Sequence, residues 1–272
     1  MPIITIYQGA SGEGQGLAEA VAQALGYRCM GREVLVATSR RYGIREAKLN
    51  EILNKAPHWW ERLLRDLRPY KTALQATLCE LAQDGKLVYH GHLGHELLPD
   101  IRHVLKVLLT APIEYRIDQI RARQNSSERE ARRYIEAVDK ARSRRLMAMF
   151  GADWRDATRY DLALNMSRMS LDGARRMIMH AAQLEEYQPT PESQQTFYDF
   201  TLASRVHATL FASLDIQGLA VDIRASRGHV HLRGRVEEGM EEEVTRITET
   251  VSGVIHVTAD LYSAPPEGVI RM

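Results

Sequence analysis

The stretch IITIYQGASGEGQGLAEAVAQALG, residues 3–26, decides the fold. Ile3 to Gln8 is short, apolar and β-branched, and predicts a buried strand. A glycine-rich run follows at 9–16, and then Leu17 to Leu25 is alanine-rich with helical spacing, with Gly26 suited to cap its C-terminus. Strand, glycine loop and helix in this order open an α/β domain. Glycines let consecutive backbone N–H groups curl around an anion, and a helix N-terminus adds partial positive charge. The G-x-x-x-x-G spacing is weak by itself; its place between strand and helix gives it weight.

Working outward, residues 32–84 read as mostly helical, with Pro57 and Pro69 at boundaries and the Trp59-Trp60 pair between them. The bland reading of that pair is one core ring and one half-exposed ring; the other is base stacking. Lys86 to Gly91 and Val104 to Thr110 are near-continuous apolar runs, the character of parallel strands covered on both faces. Pro112 sits where a first helical turn would start. Residues 127–149 predict a long basic helix, Tyr160 to Asn165 a fourth strand, and 170–187 a further helix. Strands alternating with helices predict an α/β domain with a doubly wound parallel sheet. The polar, proline-containing run from Gln188 reads as a linker, 188–198. Beyond it the pattern changes to α-β-β-α-β over 199–262, with a hairpin turning near Arg227-Gly228 and a tail from Ser263.

At 272 residues two domains are expected. With 44% hydrophobic and 26% charged residues and a net charge of +1, bulk charge points to neither nucleic acid nor a membrane surface. Cys29 and Cys79 lack C-x-x-C spacing and read as small hydrophobes in a reducing compartment. No signal peptide or membrane span is expected, which makes the cytoplasm the default location. His90, His92 and His95 lie close together, but their spacing fits no standard metal signature.

Several blocks resemble the cytidylate-kinase-like family of P-loop nucleoside monophosphate kinases. The loop Gly9-Ala-Ser-Gly-Glu-Gly-Gln-Gly16 is similar to that family's phosphate loop, where Lys and Thr occupy the positions of Gln15 and Leu17. Such a Lys would neutralise the transferring phosphates, and the Thr hydroxyl would coordinate Mg²⁺. Losing one charged donor costs about 3–4 kcal/mol, or roughly 10²–10³ in rate. Glu13 places a carboxylate in the loop. Arg32-Glu33 is similar to an Asp-Arg-Glu element, with Gly31 at the acidic position. Gly91-His92-Leu93 stands where the family has Gly-Arg-Gly. Ala111-Pro112 with Arg116, Asp139-Lys-Ala-Arg142, and Tyr160-Asp-Leu-Ala-Leu-Asn165 match the family's helix start, mobile lid and last strand.

The resemblance, over residues 3–187, implies a P-loop NTPase-type sheet with a helical lid, with ATP or another nucleotide and Mg²⁺ as cofactors. It implies nucleotide contacts from Gly9, Ser11, Gly12, Gly14, Gln15 and Gly16, phosphate chemistry at Arg116, Asp139 and Arg142, and acceptor contacts from Arg32 and His92. Arg144 and Arg145 are second choices. Between 115 and 145 ten Arg or Lys residues face five acidic ones; a solvated helix face is the plain reading of Arg129, Arg132 and Arg133.

Residues 199–262 resemble a BON domain, through Val221-Asp-Ile-Arg224, His229-Val-His-Leu-Arg-Gly-Arg-Val236 and Val251-Ser-Gly-Val-Ile-His-Val-Thr258. That implies a protein or small-ligand partner. Arg224, Arg227, Arg233 and Arg235 on or near the hairpin are candidates to meet an anionic partner. The sequence leaves the oligomeric state open. Three readings of the first domain stand: a phosphoryl-transferring kinase, a nucleotide-binding protein without efficient transfer that acts through the BON domain, and a scaffold whose loop is only a tight turn.

Overall fold

A computed structural model describes residues 1–10, 13–49, 67–91, 93–98, 101–214 and 220–263. Ser11, Gly12 and His92 of the candidate site, and Trp59-Trp60, lie outside the described residues. The first sheet is wholly parallel, in the order β2-β3-β1-β4-β5. Its strands are β1 (Ile3–Gln8), β2 (Arg28–Met30), β3 (Leu87–His90), β4 (Val104–Thr110) and β5 (Leu162–Asn165). Helices α1 (Gly14–Leu25), α2 (Glu33–Tyr42), α3 (Leu67–Ala82), α4 (Gly94–Leu97), α5 (Ile113–Gln124), α6 (Glu128–Phe150) and α7 (Leu171–Gln183) connect and cover the strands.

The alternation of β1 fixes both faces of the sheet. Ile3 and Tyr7 join Leu74, Leu78, Leu146 and Trp154 on one side. Ile4 and Ile6 join Leu17, Val21 and Ile178 on the other. The central strand therefore has no solvent face, which is why its sequence carries almost no polar residue. The sequence shows four of the five strands. The fifth, β2, is a three-residue edge whose side chains are exposed or half-buried, too short for a pattern.

Two local features depart from simple expectation. Leu93, at the position where the family has glycine, takes φ +78° and is buried. A non-glycine residue in that region is strained, by about 1–3 kcal/mol. The second is the expected linker at 188–198, most of which is helical. Thr190 and Ser193 form a capping box and Pro191 takes the first helical position, so α8 runs unbroken from Pro191 to Ser213. The polar residues read as linker are the start signals of a helix.

Helix α8 serves two cores. Its Phe197 is 1% exposed within the first core and packs edge-on to His103, whose Nδ1 lies 2.9 Å from Ser193 Oγ. Farther along, Leu202, Val206 and Leu210 enter a separate core with Val221, Leu232 and Val244. Arg205 links both parts: Nε donates to Glu80 Oε1 of α3 at 2.6 Å and Nη1 to the Ser252 carbonyl at 2.6 Å.

The second sheet has the order β6-β7-β8, with β6 (Ala220–Ser226) antiparallel to β7 (His229–Val236) and β8 (His256–Ser263) parallel to it. Helix α9 (Glu241–Glu249) completes the expected α-β-β-α-β order. The hairpin turns at Arg227 and Gly228, both with positive φ, and Asp199 Oδ1 accepts the Arg227 N–H at 2.6 Å. Gly234 is required by close approach, since a Cβ there would lie 2.2 Å from the Ala220 carbonyl oxygen.

Candidate functional site

The glycine loop leaves the C-terminal edge of β1, where its backbone donors would face a bound anion. In this structure two of them, Ala10 and Gly14, meet the protein's own side chains. Gly14 N–H donates to Gln8 Oε1 at 2.7 Å, and Ala10 N–H donates to Asp139 Oδ1 at 3.3 Å. A Cβ on Gly14 would fall 2.7 Å from Gln8 Cδ, so glycine is what lets Gln8 fold over the loop. On Gly9 a Cβ would meet Arg116 Nη2 at 3.0 Å and Trp154 at 3.1 Å.

The long helix α6 delivers the charged groups. Ser127 and Glu130 cap its start reciprocally. Asp139, Arg145, Leu146 and Met149 are buried along the face it turns to the sheet, with Arg142 half-buried beside them. Asp139 makes a 2.8 Å ion pair with Arg116 of α5, and both side chains are only 10% exposed. Arg142 Nη1 donates to the Gln8 carbonyl at 2.5 Å. Burial holds the Arg142 guanidinium below its usual pKa and brings Arg145 down to about 10, so Arg145 remains a cation at neutral pH. Arg116, Asp139 and Arg142 thus lie together at the loop, each already engaged by protein groups.

The two positions that decide phosphoryl-transfer chemistry are also occupied otherwise. Gln15 Nε2 donates to Glu19 Oε1 at 2.9 Å, one turn along α1. Leu17 is 1% exposed in the core and offers no oxygen. Glu13 Oε1 accepts from the Tyr115 hydroxyl at 3.1 Å. Among the described residues the start of α1 offers Mg²⁺ no hydroxyl, and no group of three or more His, Cys, Asp or Glu could hold a metal. Arg32 is an exposed side chain paired with Glu46 at 2.9 Å and does not join the cluster at the loop. Arg144 is exposed, whereas Arg145 is 1% exposed.

Beneath the loop lies an aromatic group that sequence reasoning did not find: Tyr7, His95, Trp154 and Tyr160. Burial raises the Tyr7 hydroxyl to about 12 against the pull of Arg142 and Arg145. The Tyr160 hydroxyl donates to the Trp154 carbonyl at 2.9 Å, so at 3.1 Å it accepts from His95 Nε2, which assigns the ring proton to that nitrogen. Burial lowers His95 to about 3. Its folded pKa lies below the unfolded value, so its contribution is complete above about pH 6.5 and is lost as pH falls towards 3. The expected acid-side slope is about 1.4 kcal/mol per pH unit from this one proton. Denaturant unfolding at pH 4, 5, 6 and 7 should show a shallower slope for His95→Gln than for the parent; equal slopes would remove His95 as the cause.

A parallel sheet ordered β2-β3-β1-β4-β5, a glycine loop between β1 and α1, and arginines delivered by a helical lid define a P-loop kinase-type fold. The chain belongs to the cytidylate kinase-like family, whose model matches residues 3–168; a BON domain model matches residues 198–262. A cytidylate kinase of Haloarcula marismortui is 26% identical over 69% of this chain and 91% of its own length. One from Methanopyrus kandleri is 33% identical over 34% of this chain, a match that spans 52% of that protein. An uncharacterised protein from Eubacterium ventriosum, 15% identical, shares the fold over 66% of this chain and 97% of its own, with a TM-score of 0.50. Among the described residues no helix is long and apolar enough to cross a membrane.

Proposed function

We propose that this chain is a non-transferring member of its family, a nucleotide-responsive module that acts through its C-terminal BON domain. The observation that carries this reading is Leu17: where Mg²⁺ would need a hydroxyl, a buried apolar side chain belongs to the core. Phosphoryl transfer depends on positioning and charge stabilisation, and the loop supplies neither the cation nor the metal ligand. Gln15 turned towards Glu19 and the loop amides taken by Gln8 and Asp139 support the same reading. Nucleotide phosphates would enter by displacing Gln8 and Asp139 from those amides, with Arg116 and Arg142 as their cationic partners. A cytoplasmic location fits this role.

A coupled assay with Mg²⁺, ATP and each nucleoside monophosphate tests it, alongside calorimetry with the same nucleotides. The expected result is no turnover above background, with nucleotide binding retained. Turnover at ordinary kinase rates would establish the second reading, transfer from ATP to a nucleoside monophosphate, which the cytidylate kinase relatives favour. Calorimetric silence towards every nucleotide would leave a scaffold. Gln15→Lys alone is expected to restore nothing, because Leu17 still gives Mg²⁺ no ligand; activity from that single change would refute the metal argument.

A further inference from the structure

A cleft of about 690 Å³ lies away from the glycine loop, between α3 and the C-terminal end of α6 on one side and α8 with β6 on the other. Both folded parts contribute walls, so a ligand there would touch each. Its size is that of ordinary small-molecule sites. One wall presents Arg68 and Lys71, one turn apart on α3. Among the described residues Arg68 makes no ion pair, and its guanidinium is exposed at the rim. Lys71 Nζ donates to the Met149 carbonyl at 3.1 Å and lies 4.3 Å from the centre of the Phe150 ring, contacts that hold the cation but do not neutralise it. The opposite wall presents His207 stacked on Phe211, with ring centres 5.0 Å apart and planes 27° from parallel.

Among the described lining residues the charge balance of the cleft is positive: Asp222 is the one carboxylate, and it accepts from Arg224 Nε at 2.9 Å. Glu96, the carboxylate whose field reaches Lys71, is gripped through both oxygens by Arg159 at 2.6 Å. Burial lowers the pKa of both Lys71 and His207, and the positive charges of Lys71 and Arg68 lower His207 further, to about 4. His207 is therefore a neutral ring at physiological pH, suited to stacking, and among the described residues no carboxylate pairs with Arg68 or Lys71. Cations on one wall and a flat ring pair on the other match a ligand with an anion at one end and a ring at the other.

We propose that this cleft is a binding site for a small planar-ring phosphate ester. Its dianion sits between Arg68 and Lys71, and its ring lies against the His207–Phe211 stack. Nucleotides and simple aryl phosphates share this chemistry, and calorimetry on the full chain separates them. Phenyl phosphate, orthophosphate and CMP are the probes. Phenyl phosphate is expected to bind saturably, with orthophosphate at least about tenfold weaker for want of a ring. CMP binding that Arg68→Gln weakens assigns the cleft to nucleotides, whereas CMP binding that Arg68→Gln leaves unchanged belongs to the glycine loop and assigns the cleft to smaller esters.

Arg68→Gln, at an exposed side chain, is expected to keep the parent's circular dichroism and weaken phenyl phosphate about tenfold. Lys71→Gln tests the half-buried cation in the same way. No saturable phenyl phosphate binding would overturn the proposal. So would binding that Arg68→Gln leaves unchanged, since the ligand would then sit elsewhere. Equal affinities for orthophosphate and phenyl phosphate would overturn the stacking half.

Discussion

Replacing Asp139 by alanine is expected to cost about 3–5 kcal/mol of folding stability, read as a fall in the urea midpoint at constant m-value. The size comes from what is left behind. Arg116 is 10% exposed and its Nε has no partner, so the carboxylate is what balances its charge. Removing Asp139 strands that cation in a poorly solvated place and takes the acceptor from Ala10 N–H. Arg116→Leu alone should cost a similar amount, because it strands the carboxylate instead. The double replacement Arg116→Leu with Asp139→Ala should cost much less than the sum, since removing both members of a buried pair leaves no uncompensated charge. Additive losses across that cycle would show that the pair is not coupled. Asp139→Asn also bears on ligand binding, because it removes the carboxylate that occupies a loop amide and engages Arg116. It should strengthen ATP binding, and unchanged affinity would show that Asp139 does not compete with phosphate.

Phe197→Ala carries the second large effect, a loss of about 3–5 kcal/mol. Phe197 is 1% exposed, sits in the same core as Leu78 and Leu98, and meets His103 edge-on at 5.6 Å. Were residues 188–198 a solvated tether, the substitution would be silent. Phe197→Leu, which keeps most of the volume, should cost less than half as much. Denaturant midpoints of the three proteins decide the matter, and a parent-like midpoint for Phe197→Ala would detach α8 from the first core.

The sheet was legible because its strands are nearly all apolar and their glycine and proline boundaries are local signals. The convergence of Arg116, Asp139 and Arg142 was legible through motif likeness, and the three-residue spacing of Asp139 and Arg142 on one helix agrees with it. The state of the loop was not legible. Gln8 folds onto Gly14 through a side-chain rotamer, and Trp154 reaches Gly9 across nearly 150 residues of chain; no local pattern encodes either contact. Arg145 ranked below Arg142 because motif position, not burial, ordered the arginines, although its three-residue step from Arg142 places it on the same face. The first turns of α8 read as linker because capping residues and linker residues are the same types: Thr, Pro, Ser and Glu.

The unbroken rod of α8 has a consequence for how such proteins can change over evolutionary time. Fusions at loose tethers let a lineage trade one appendage for another at little cost. Here an exchange at residue 198 would cut through a helix and carry off the half that completes a second hydrophobic interior, while Phe197 stayed behind on a frayed stub. An exchange of one part is therefore expected to damage the interior of the other, so the two would have to be replaced together.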